Sequence, residues 1–68
     1  MDRYCVNDQP QTTGEHEVHK ESCTHGPSSK NRTYLGYFSN CRDAVAKAKT
    51  IHSNVDGCYF CANECHNR

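Results

Sequence analysis

The chain has no tryptophan, one methionine and two prolines in 68 residues. Large apolar side chains are also scarce: Val6, Val18, Leu35, Phe38, Val45, Ile51, Val55 and Phe60 are nearly all there are. No run of them approaches the roughly 20 residues needed to cross a bilayer, so no membrane span is expected. The opening MDRYCVNDQPQTTG holds Asp2, Arg3 and Asp8 and no apolar stretch, so it does not read as a secretory leader. A cytoplasmic protein is expected, with the sequon Asn31-Arg32-Thr33 unused. Net charge is absent too, since eight basic residues balance eight acidic ones. Nucleic-acid binders usually show a basic excess, so net charge does not support that partner.

What the chain does have is six cysteines and five histidines. A domain of this size buries only about 60% of the surface its unfolded chain exposes and is marginal without help. A metal or covalent staple is the natural substitute for the missing apolar mass. In a reducing compartment, clustered Cys and His are metal ligands more often than disulfides.

The pattern along the chain predicts one small α+β domain over 1–68, with a two- to three-stranded antiparallel sheet and one helix. Tyr4-Cys5-Val6 suits a short strand, and NDQPQTTG after it is rich in turn formers. Glu15–Lys20 alternates, placing His16 and Val18 on one face and Glu17 and His19 on the other. Residues 24–31 read as loop, and Thr33–Phe38 is the clearest strand, rich in β-formers. Ser39 or Asn40 can cap a helix whose stripe is Cys41, Ala44, Val45, Ala48, Ile51 and His52. Residues 30–49 carry five basic residues against Asp43 alone, which reads as a solvated helix with its lysines near the negative end of the dipole. Asn54 and Asp56-Gly57 end the helix and turn the chain into Cys58.

Cys58-Tyr59-Phe60-Cys61 is therefore expected to follow a turn, with too little chain after it for a substantial helix. That argues against a thioredoxin-like site, whose first cysteine needs a helix N-terminus to lower its pKa. A C-x-x-C turn does suit a zinc knuckle, in which two thiolates chelate one tetrahedral ion. A structural site wants four ligands, and His19-x-x-x-Cys23 supplies the other two at ordinary ligand spacing. The predicted set is His19, Cys23, Cys58 and Cys61, with zinc as the metal. The 34 residues between Cys23 and Cys58 must fold back to unite the two pairs.

The order H-x-x-x-C, a strand ending in Phe38-Ser39, a helix bearing Ala44, then C-x-x-C resembles the small zinc-binding module of the Ada DNA-repair protein. It is still more similar to related short His-x-x-x-Cys modules attached to secreted nucleases. The likeness covers roughly residues 3–61 and implies a small mixed α/β zinc domain. Ada's first ligand of this pair is a cysteine that accepts a methyl group from DNA phosphotriesters. Here that position is His19, and the DNA-binding helices are missing, so methyl transfer is not expected.

Other residues read differently. His16-Glu17-Val18-His19 lacks the i, i+4 spacing of the zinc proteases, and His16 serves only as a substitute if His19 points away. Cys5 and Cys41 read as small buried hydrophobes. Cys65 is open to several roles: a replacement ligand, a partner for Cys5 or Cys41, or an exposed thiol. The run Cys58, Cys61, Cys65 does not match ferredoxin spacing. His52 reads as a complement to the helix dipole. Tyr34, Tyr37, Tyr59 and Phe60 can fill a core or stack on a ligand.

No nucleophilic triad, phosphate loop or paired acidic site can be drawn. The expectation is a non-enzymatic, monomeric zinc-binding module that serves an unidentified macromolecular partner. Two alternatives make different predictions. A thiol-reactive protein for redox or metal handling would use exposed Cys65 with Cys58 or Cys61, and an exported disulfide-rich domain would have no free thiols.

Overall fold

The computed structural model describes residues 1–67. Its elements are β1 (Asp2–Asn7), β2 (His16–Lys20), β3 (Arg32–Phe38), α1 (Cys41–Ala48) and β4 (Val55–Gly57). Short 3-10 turns precede β3 and follow β4 (Ser29–Asn31, Asn63–Cys65). The sheet has four strands in the order β3-β1-β2-β4, where the sequence predicts two or three. It is also mixed and not wholly antiparallel. β1 pairs antiparallel with β2 and β3, and β4 runs parallel to β2.

The fourth strand is Val55-Asp56-Gly57, which composition assigns to a turn. Asp56 and Gly57 are buried, and the strand pairs through His16↔Val55 and Val18↔Gly57. An added Cβ on Gly57 would lie 2.7 Å from Cys65 Cβ and 2.8 Å from Ala62 O. Close approach of the following segment, and not turn geometry, is what requires glycine there. The tail is tied down again by Asn67, whose N–H donates to Asp56 Oδ1 at 2.8 Å. His66 Nδ1 lies 2.9 Å from Gly57 O and 3.3 Å from Asp56 Oδ2.

β1 lies inside the sheet, and Tyr4, Cys5 and Val6 are all buried. Strand alternation sends Tyr4 and Val6 to one face and Cys5 to the other. On the first face Val6 meets Val18, and with Leu35, Ala44, Ala48 and Ala62 they form the core beneath α1. Small alanines let a short helix approach closely, which compensates in part for the lack of bulk. On the second face Cys5 stands opposite His19. The β1–β3 register slips at Leu35, because Tyr4 faces Gly36 while Cys5 faces Tyr34. Gly36 takes a φ of +113° at this bulge, a conformation that a side chain resists.

The helix is shorter than its stripe predicts. Asn40 caps it, its Oδ1 accepting from Asp43 N–H at 2.9 Å. It ends at Ala48, and Thr50 Oγ1 donates to Lys47 O at 2.7 Å as the chain turns. Ile51 is consequently 46% exposed. His52 N–H still donates to Ala48 O at 2.9 Å, but its ring turns away to Asp8, with Nε2 3.0 Å from Oδ1, and stacks on His16 at 3.7 Å between ring centroids. Hydrogen bonds from Thr33 and His52 hold the Asp8 carboxyl below its usual range.

Cys41 is not a free core thiol. It forms a disulfide with Cys65, one of the roles open to Cys65 in the sequence. The bond fastens the C-terminal segment to the first turn of α1. Cys5 is buried and free, as its strand position suggests.

Candidate metal centre

β2 carries its last residues past the end of β4, which pairs only with His16–Val18. Cys58 N–H continues the ladder by donating to Val18 O at 2.9 Å, and the chain then curls away. This leaves the Lys20 N–H without a strand carbonyl to meet. It donates instead to Cys61 Sγ, 3.2 Å away. The knuckle thus closes the sheet edge with sulfur where a longer β4 would have supplied oxygen. Inside the turn, Phe60 N–H donates to Cys58 Sγ at 3.4 Å, and Ala62 N–H to Cys58 O at 2.9 Å.

His19 comes from β2 itself and is 1% exposed. Cys23 follows from the turn after β2, held by Cys23 N–H donating to Lys20 O at 3.0 Å. Arg32, from the start of β3, braces that loop by donating to Pro27 O at 2.6 Å. The two pairs predicted from the sequence meet here: the potential ligand atoms of His19, Cys23, Cys58 and Cys61 all lie within 4.8 Å of one another. Cys23 Sγ and Cys58 Sγ are 3.9 Å apart, and so are Cys61 Sγ and His19 Nδ1. For comparison, thiolates bound tetrahedrally at a Zn–S distance of about 2.3 Å sit roughly 3.8 Å apart. The fit is close.

The second nitrogen of His19 is also placed. Nε2 lies 3.4 Å from Glu17 Oε1. Nδ1 is therefore the nitrogen facing the thiols, and Glu17 can fix the tautomer and raise the ring's basicity, as carboxylates do behind metal-bound histidines. Burial, with positive charge from Arg32 and His25 nearby, pushes the His19 pKa down to about 4. The imidazole is neutral at pH 7, the form a metal requires. Burial, with the Cys23 and Cys58 thiols beside it, pushes Cys61 up to about 12. Without a cation, His19 and Cys61 are thus both uncharged at pH 7.

Other candidates lie elsewhere. His16 Nδ1 faces Asn7 O at 2.9 Å and its ring stacks on His52, so it does not join the cluster. Cys65 is held by Cys41. The expectation that Cys58 follows a turn is corrected, because β4 delivers it; still, no helix begins at Cys58. Sequence reasoning missed Glu17, Arg32 and the Lys20 N–H as supports. Glu17 was findable, since it stands two residues from His19 on the same strand face. The other two depend on where distant segments come to rest, and no local pattern marks them.

Tyr59 and Phe60 point outward from the knuckle, 57% and 64% exposed. Phe60 stacks on His25 at 3.9 Å between ring centroids, and Tyr59 meets Phe60 edge-on at 5.2 Å. No helix among the described residues is long and apolar enough to cross a membrane. No protein-family model matches the chain, and neither the curated proteins nor the solved structures contain a match.

Proposed function

We propose that this chain is a small zinc-binding protein in which His19, Cys23, Cys58 and Cys61 hold one structural zinc ion. The observation that carries the reading is the convergence of one imidazole and three thiols, with ligand atoms within 4.8 Å, from segments far apart in sequence. Soft sulfur donors with one nitrogen in tetrahedral reach favour zinc over the hard cations. Four protein ligands leave no open position for a substrate, so the site closes the fold and is not a catalytic one. The protein is read as a monomeric, non-enzymatic binding module. Its exposed knuckle aromatics, Tyr59 and Phe60, are the surface offered to a macromolecular partner.

The resemblance to the Ada-type zinc module supports the same ligand pairs and nothing of Ada's chemistry, because His19 has no thiolate to methylate. The thiol-reactive alternative loses its principal thiol, since Cys65 is paired with Cys41. That disulfide also bears on the compartment. Disulfides persist in oxidising surroundings, which weighs against a cytoplasmic location. A bound cation would there protect the three remaining site thiols from pairing.

The test is native mass spectrometry of the full chain before and after a strong chelator, with Cys41–Cys65 left intact. One zinc per chain, removed by the chelator and restored when zinc is added back, is the expected result. A chain that is folded and metal-free as isolated, and takes up no added zinc, overturns the proposal.

A further inference from the structure

The three site thiols are not equivalent. Cys58 Sγ accepts the Phe60 N–H and Cys61 Sγ accepts the Lys20 N–H. Such bonds draw charge from a thiolate and lower its nucleophilicity. Among the described residues no backbone N–H reaches Cys23 Sγ, whose neighbour is Cys58 Sγ at 3.9 Å. Cys23 is also only partly buried, on a loop, whereas Cys58 is 1% exposed. Cys61 is partly buried as well, so of the two accessible thiols only Cys23 lacks a backbone donor, and Cys58 stands 3.9 Å from it.

We infer that Cys23 is a peroxide-reactive residue and that its oxidation ejects the metal by forming a Cys23–Cys58 disulfide. The inference rests on the zinc reading above and assigns that site a regulation. The chemistry balances with hydrogen peroxide as oxidant. The Cys23 thiolate attacks one peroxide oxygen, the O–O bond breaks, and hydroxide leaves a Cys23 sulfenic acid. The Cys58 thiolate then attacks the Cys23 sulfur; an S–S bond forms, the S–O bond breaks and a second hydroxide leaves. Two protons from solvent turn both hydroxides into water. Two electrons have passed from two sulfurs to one peroxide. His19 and Cys61 alone are too few to retain the zinc ion, which departs, and Cys61 takes up a proton.

The product has an unusual property. The new bond joins residues 35 positions apart, the same two segments the metal joins. One staple therefore replaces the other, and the chain releases its ion without opening. Oxidation within the knuckle, between Cys58 and Cys61, would instead leave the segment after β2 without a bond to the tail, which Cys41–Cys65 ties only to α1.

The experiment treats the zinc-loaded full chain with a few equivalents of hydrogen peroxide in the presence of a chromogenic chelator. Unreduced proteolytic peptides are then mapped, and far-UV circular dichroism is recorded. The expected result is one zinc released per chain, a Cys23–Cys58 cross-linked peptide, a retained spectrum, and recovery of zinc binding after mild thiol reduction. Zinc retained, or released with a Cys58–Cys61, Cys23–Cys61 or Cys5–Cys23 cross-link in its place, overturns the inference and leaves the zinc reading standing. Absence of zinc before the oxidant overturns that reading itself, and the release step with it. A Cys5→Ala chain, which leaves the four ligands in place, should give the same cross-link and the same yield of zinc.

Discussion

At the scale of single residues, the candidate metal centre rests on positions that neither hydropathy nor propensity would single out. Gly57 is one. Its missing Cβ leaves room for Cys65 and for the Ala62 carbonyl. Gly57→Ala should therefore push the knuckle outward and lower stability by about 2 kcal/mol or more, the range of overpacked buried sites. Thermal denaturation and zinc affinity measured on the same sample check this, because both should fall together. His19 sets a pH dependence for the metal-free chain. Its folded pKa is about 4, below the ordinary 6.5. The unfolded chain binds the proton first as pH falls, so the contribution is complete above about pH 6.5 and is lost progressively toward pH 4. Its ceiling is about 3 kcal/mol, because each tenfold difference in proton affinity between the folded and unfolded chain is worth roughly 1.4 kcal/mol. Urea titrations of the apo-chain at pH 7 and pH 4.5 should show the loss, and His19→Gln should flatten it. The four candidate ligands were legible because ligand spacing is a local property of H-x-x-x-C and C-x-x-C. The partner of Cys41 was not, because helical periodicity accommodates a buried thiol and a half-disulfide equally well.

At the scale of elements, the Cys41–Cys65 bond ties the C-terminal segment to α1, and an ion in the candidate metal centre would tie it to β2 as well. Replacing both cysteines by alanine should cost about 2–4 kcal/mol, as for other loops of this size. The same change should weaken zinc binding several-fold, since the knuckle would lose its anchor. Calorimetric titration of the Cys41→Ala, Cys65→Ala chain against the parent measures both effects. Gly36 governs the other end of the sheet. Gly36→Ala forces a side chain to a φ of +113° and should cost about 1–2 kcal/mol, with no change in zinc stoichiometry. β1, β2, β3 and the start of α1 could be read from alternation, β-formers and an Asn cap. β4 could not: three residues that include Asp and Gly carry no strand signal, and they pair with β2 only because α1 returns the chain there. Since that return was invisible, so were the fourth strand and the mixed character of the sheet.

At the scale of the whole molecule, closure depends on one end reaching the middle. Chelation of the reduced chain, with neither staple left, should abolish cooperative unfolding. Chelation of the disulfide-intact chain should leave residual structure around β1, β3 and α1. Amide hydrogen exchange under the two conditions separates these outcomes: protection should persist at Val6 and Leu35 in the second case and vanish in the first. The parallel pairing of β4 with β2 has one more consequence, for biosynthesis. A nascent chain emerges at about 5–20 residues per second and can fold only what has left the ribosome. β1, β2 and β3 can associate early, but His19 and Cys23 must wait for the segment through Cys61 to clear the exit tunnel. Ion loading would then come after β1, β2 and β3 have associated, with an unpaired β2 edge held open until β4 and the knuckle arrive.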